Sequence, residues 1–260
     1  MALSEHNSPV TWHTDGTVLE ITLNRPPANA LGVPLLDGIN AALDAADGTA
    51  PKVIVISSGL TGIFAAGADI KHMSSIDAAS FGTYGDVLRG AVERLAAHPS
   101  LSVAAIDGLA LGGGLELAMA CTMRVAGEGA RLGLPEVKIG LIPGGGGTQR
   151  LPQLVGRGRA LDIMLTGRQV DADEALRIGL VDRLVSAGTA GEAARELATE
   201  LCAASSPAQR AVVRTVAAAY DFPLADGLRY EAQQVNDLFE NGEAVEGLGA
   251  FLDKRAPQFA

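Results

Sequence analysis

Two glutamates stand in glycine- and proline-marked segments of the chain. Glu116 follows Gly112-Gly113-Gly114-Leu115 and opens an apolar run, and Glu136 follows Gly133-Leu134-Pro135 ahead of a second glycine-rich stretch. Paired carboxyls can divide acid and base work between them when their surroundings push their pKa values apart. Three glycines between a strand and a helix leave amides unpaired at the helix N-terminus, where the dipole favours negative charge. Carboxylates beside such amides can move protons next to a carbonyl whose oxygen must carry charge. Taken singly, each glutamate reads as well as an ordinary helix-start acid.

Two further segments add to this picture. In IFAAGADIKHM, Ile63 to Met73, the small residues Ala65 to Ala68 would let a ligand come close to the backbone. Asp69 is placed to cap the short helical turn that follows. Alone, this is an ordinary tight turn with a capping acid. In GLPEVKIGLIPGGGGTQRL, Gly133 to Leu151, four glycines after Pro143 permit a loop to lie against another surface, with Thr148 expected to cap a helix starting at Gln149-Arg150. No GxSxG elbow, Walker A pattern or full GxGxxG occurs, so serine hydrolase, P-loop and dinucleotide-binding chemistry lack their signatures.

Alternation and β-branching predict strands at 17–23, 52–57, 102–106, 123–126 and 181–185, with a shorter extended piece at 131–132. Helical spacing covers 34–46, 76–97, 115–121, 157–165 and 171–178, and a loop is expected over 59–67. The chain then reads as helix to its end, over 190–203, 207–219, 224–239 and 243–254. The pattern predicts an α/β core, residues 1–204, followed by an all-helical segment, residues 205–260, with the break at Ser205-Ser206-Pro207.

Composition narrows the function classes. With 260 residues, 48% hydrophobic and 19% charged, the chain suits one substantial globular core. A net charge of −10 argues against nucleic acid, which demands clustered lysine and arginine. Cys121 and Cys202 lack CxxC spacing, and His6, His13, His72 and His98 are scattered, so no metal site is expected. Both cysteines are expected to pack on apolar helix faces. The start MALSEHNSPV lacks a signal-peptide pattern and no tract is apolar enough to span a bilayer, so a cytoplasmic protein without membrane contact is expected.

Taken together, the segments resemble the crotonase superfamily, the enoyl-CoA hydratase/isomerase family. The strings AAGADIK (65–71), ALGGGLELA (110–118) and PEVKIGLIPGGGGTQRL (135–151) occur in the family's order. The likeness runs from NRPPANAL at 24–31 to FLDKRAPQF near the C-terminus. It implies a spiral of ββα units with a C-terminal helical trimerisation region, often as two stacked trimers, and an acyl-CoA thioester as ligand. The coenzyme A is then part of the substrate and no separate cofactor is implied. The family's oxyanion-hole amides fall on Ala68 and Gly113, and its hydratase acids on Glu116 and Glu136. Contacts to the acyl-CoA would come from Ala66, Asp69, Ile70, Lys71, Gly112, Pro135, Gly144 and Lys254. Small departures are His72, where relatives often carry an acid, and Gly145, expected to loosen the glycine loop. The implied reaction is hydration of an enoyl-CoA, with a Δ3,Δ2-enoyl-CoA isomerase or another acyl-CoA-using crotonase as the alternative. An acyl-CoA-binding subunit without catalysis is the non-enzyme reading, and the two intact glutamates weigh against it.

Overall fold

The structure, a computed structural model, describes residues 8–259. The signal-peptide reading of residues 1–7, and His6, lie outside them. A six-stranded sheet runs in the order β1 (Val10–Asp15), β2 (Val18–Leu23), β3 (Val53–Ser58), β5 (Leu101–Ile106), β7 (Met123–Gly127) and β10 (Arg183–Val185). All its neighbours are parallel except the antiparallel pair β1–β2. A second sheet of short strands runs β4 (Ile63–Ala65), β6 (Leu109–Leu111), β8 (Arg131–Gly133) and β9 (Val170–Asp171).

Each turn of chain feeds both sheets, β3 then β4, β5 then β6, β7 then β8. Helices close these turns. α1 (Val33–Thr49) follows β2, α2 (Ile70–Met73) and α3 (Ala78–Ala97) follow β4, and α4 (Gly113–Ala120) follows β6. A 3-10 turn, Glu136–Ile139, follows β8 and leads to α5 (Gly147–Val155) and α6 (Arg157–Thr166). The fold is therefore the spiral of ββα units that the sequence implied. α7 (Ala172–Ile178) and α8 (Ala190–Cys202) complete it, and α9 (Ser206–Ala218), α10 (Leu224–Asn241) and α11 (Ala244–Asp253) form the C-terminal helical region.

The apolar run in β3 has a plain cause. Ile54 and Ile56 enter the main core, while Val53 and Val55 pack with Ala194, Leu197 and Ala198 of α8 on the opposite face. A parallel sheet covered on both faces needs a continuous apolar strand rather than an alternating one.

Several expectations are corrected. Four strands went unread: β1, whose exposed outer half (His13, Thr14, Asp15) breaks its apolar pattern, and β4, β6 and β9, too short to show a period. The 59–67 segment thus contains a strand. Thr148 caps nothing; α5 begins at Gly147 from a Gly146 with φ of +106°, and its first turn has no side-chain cap. The last strand is shorter than expected, because Val181 is drawn into the core ahead of β10. Cys121 is buried as expected. Cys202 is only partly buried, at the end of α8, where the Thr17 hydroxyl donates to its Sγ at 3.4 Å.

Candidate active site

The first wall of the site is a strap, Ala66 to Asp69, laid along the segment that follows β2. Asn29 anchors that segment. It is fully buried with φ of +48°, its side-chain amide donates to Ser58 Oγ at 2.8 Å and the Phe64 carbonyl at 2.9 Å, and its Oδ1 accepts from the Arg25 amide at 2.7 Å. The strap then docks on it, with the Ala66 N–H donating to the Ala28 carbonyl at 3.0 Å and the Leu31 N–H to the Gly67 carbonyl at 2.8 Å. Asp69 caps α2 as expected, its Oδ1 accepting from the His72 amide at 3.1 Å, while its Oδ2 takes Arg25 Nη2 at 2.7 Å. Burial raises the Asp69 pKa, but these partners outweigh it and hold the carboxyl below its ordinary value.

The second wall is the start of α4. Gly112 has φ of +52°, a conformation that favours glycine, and a side chain there would meet Glu136 Oε1 at 2.9 Å. A methyl group at Gly113 would lie 3.5 Å from the Ala68 nitrogen, so the Ala68 and Gly113 amides are neighbours. Neither amide donates to a protein acceptor among the described residues. Two adjacent, unpaired, fixed N–H groups are chemically able to receive one oxygen bearing negative charge.

The carboxyls stand in different environments. Glu116 is 2% exposed, and its Oε1 accepts from the Gly145 amide at 2.7 Å and the Gly147 amide at 2.8 Å. Burial raises its pKa, opposed by those two amides and by Arg150. Arg150 is itself tied to the glycine loop, Nη1 donating to the Gly145 carbonyl at 3.2 Å. Glu136 sits on the 3-10 turn, and its Oε2 is buried without a hydrogen-bond partner. Burial, with a smaller contribution from the Glu116 charge, pushes Glu136 up to about 7. One carboxyl is thus held by two loop amides, while the other keeps one oxygen without a partner.

Glu116, Glu136, Gly112, Gly113 and Ala68 are brought together. Ile70 and Lys71 are exposed on α2, just beyond the strap. Both carboxylate oxygens of Asp69 are spent inside the protein, and its backbone carbonyl accepts from the Met73 amide at 2.9 Å. Pro135 precedes the 3-10 turn, and Gly144 is an exposed member of the glycine loop. Lys254 ends α11 with φ of +54°, and α11 packs against α10 rather than against the strap. Within one chain Lys254 is not part of the cluster.

Sequence reasoning missed the loop amides that hold Glu116, and it missed α3 as the roof of the site. The space that a side chain at Gly145 would need is taken by Glu116 Oε2 and Leu88 Cδ2, each 2.8 Å from its position. That glycine therefore makes room and is no mere source of looseness. Tyr84 and Leu88 carried no local signal beyond helical spacing.

The same arrangement of sequence and fold is found in other proteins. The sequence profile of the enoyl-CoA hydratase/isomerase family matches residues 13–260. A Rhizobium meliloti protein named "Probable enoyl-CoA hydratase" is 42% identical over 247 residues, 95% of each chain. A Mycobacterium tuberculosis protein named "Probable enoyl-CoA hydratase echA8" is 41% identical over 246 residues, 92% of this chain and 93% of its own. The crystal structure of an enoyl-CoA hydratase from Bacillus anthracis superposes with a TM-score of 0.92 at 34% identity, covering 96% of this chain and 98% of that one. Pseudomonas aeruginosa DspI gives a TM-score of 0.93 at 35% identity, covering 99% and 98%. Ordered motifs, shared spiral and near-complete coverage agree, and the chain belongs to the enoyl-CoA hydratase/isomerase family.

Proposed function

We propose that the protein is an enoyl-CoA hydratase, adding water reversibly to a trans-2-enoyl-CoA to give a 3-hydroxyacyl-CoA. The observation that carries this reading is the pair of unlike carboxyls beside two unpaired amides. The thioester oxygen would accept from the Ala68 and Gly113 N–H groups. Glu116, whose buried charge is partly offset by two amides and Arg150, takes a proton from water as the water oxygen bonds to the β-carbon. The electron pair of the double bond moves to the α-carbon and thioester oxygen, and Glu136, protonated at the outset, delivers its proton to the α-carbon. Removing one amide of such a receptor typically costs ~10²–10³-fold in rate, and acid–base assistance contributes ~10²–10⁴-fold. An isomerase can run on one carboxyl; two carboxyls in unlike surroundings favour hydration.

Purified protein should consume the conjugated absorbance of crotonyl-CoA. Glu116→Gln and Glu136→Gln should each lower kcat by ~10²-fold or more with the fold and coenzyme A binding retained. Full activity in either variant would sink the two-carboxyl mechanism. The exposed Lys71, and Lys254 supplied by a neighbouring copy, are assigned to the coenzyme A phosphates on charge alone. We assign the assembly as a homotrimer or a dimer of trimers, and the compartment as the cytoplasm. The exposed apolar side chains of α9–α11 support the former; among the described residues no helix is long and apolar enough to cross a membrane.

A further inference from the structure

The strap that carries the Ala68 amide is fixed unequally on its two sides. Leu31 and Ala68 form a parallel β-bridge. On the N-terminal side of Ala68 the rung is direct, Leu31 N–H to the Gly67 carbonyl at 2.8 Å. On the C-terminal side the regular rung would run from the Asp69 N–H to the Leu31 carbonyl. Instead a tyrosine hydroxyl from α3 stands between them. The Asp69 amide donates to Tyr84 Oη at 3.1 Å, and Tyr84 Oη donates to the Leu31 carbonyl at 2.6 Å. Tyr84 is 5% exposed, and its ring is steadied edge-on by His72, with ring centroids 5.3 Å apart at 73°.

We propose that Tyr84 is a positioning residue for the oxyanion hole, its hydroxyl serving as a spacer that sets the distance and tilt of the Ala68 N–H relative to the Gly113 N–H. This rests on the reading of Ala68 and Gly113 as that hole. The geometry explains why a hydroxyl is needed. Without it, the Leu31 carbonyl and the Asp69 amide would be left unpaired in a buried place, and they could satisfy each other only by closing the gap. Closing it would drag Asp69, and with it the Ala68 amide, toward Leu31. Misplacing a catalytic group by about 1 Å can cost ~10²-fold in rate. Burial raises the pKa of the Tyr84 hydroxyl, which keeps it neutral and able to accept and donate at once. No part of Tyr84 is needed to touch the reacting atoms.

The test is Tyr84→Phe, which keeps the ring in the core and removes only the spacer. The kcat for crotonyl-CoA hydration is expected to fall ~10- to 100-fold with KM little changed. A second readout separates positioning from a general loss of packing. Butanoyl-CoA, which cannot be hydrated, is labelled with carbon-13 at its thioester carbonyl and its infrared band is recorded bound to each protein. In the parent the band should shift to lower frequency than in free ligand, and in Tyr84→Phe it should return toward the free position. An unshifted kcat, or a fall in kcat with the bound carbonyl band unchanged, would overturn the proposal. A parent enzyme that leaves the carbonyl band where it lies in free ligand would overturn the oxyanion-hole reading itself, and this one with it. Should the phenylalanine variant not fold, 3-fluorotyrosine at position 84 changes the hydroxyl's donor strength with almost no change of shape. There the carbonyl band should stay with the parent's, because the spacer keeps its length, and a return to the free position would overturn the proposal.

Discussion

Glu136 keeps its proton to higher pH than an ordinary glutamate does. Its pKa rises from 4.5 to about 7 because burial disfavours the charged form and the Glu116 charge adds to the effect. The folded protein therefore binds more protons here than the unfolded chain between those values. Stability then falls as pH rises through that window, since the derivative follows protons bound by the unfolded state minus those bound by the native one. The full shift would correspond to ~3 kcal/mol, reduced by solvent reaching the half-buried side chain. Glu136→Gln removes this dependence. Urea denaturation should show the variant gaining on the parent between pH 5 and pH 8, by about 1–3 kcal/mol. A difference that stays constant over that range would contradict the assigned proton. If Glu136 is the donor, kcat/KM should also decline above about pH 7, where the free enzyme's acid is lost.

At the scale of elements, the decisive contact is helix α4 resting directly on strand β4. A methyl group at Gly114 would lie 2.0 Å from the Ala65 carbonyl oxygen, and backbone cannot step aside as a flexible side chain can. Gly114→Ala should destabilise the protein by about 3 kcal/mol and lower activity with it, read by thermal denaturation and the crotonyl-CoA assay. A variant as stable as the parent would mean the helix can ride outward without penalty. This contact also shows where the sequence was legible. The long helices and the buried strands of the large sheet announced themselves by period and by apolar runs. The glycines flanking Glu116 were conspicuous, and Asp69 capped as its position suggested. What stayed hidden were pairings across the chain. β4, β6 and β9 are held by partners remote in sequence, and the donors to Glu116 lie 29 and 31 residues away, on Gly145 and Gly147. Tyr84 looks like any buried aromatic at helical spacing until Leu31 and Asp69 are seen on either side of it. Thr148 misled because a glycine-rich entry can start a helix without a side-chain cap.

At the scale of the whole molecule, α9, α10 and α11 leave large apolar side chains in the open. Val216 is 60% exposed, Phe239 57% and Phe251 80%. In the proposed assembly, neighbouring copies would cover this surface. The prediction is that the full chain sediments as a trimer or hexamer, while a chain ending at Ala204 yields monomers or aggregates. A well-behaved trimer of the shortened chain would remove the C-terminal helices from the contact.

The clasp on Glu116 has a consequence for the order in which a new molecule becomes active. By the time residue 136 has left the ribosome, the chain already contains Ala68, Gly113 and both glutamates. It still lacks the two amides that offset the burial of the Glu116 charge, because they belong to residues 145 and 147. A nascent chain of that length therefore owns every reacting group before it can use them. On refolding, hydration activity should return no earlier than the docking of the glycine loop on Glu116.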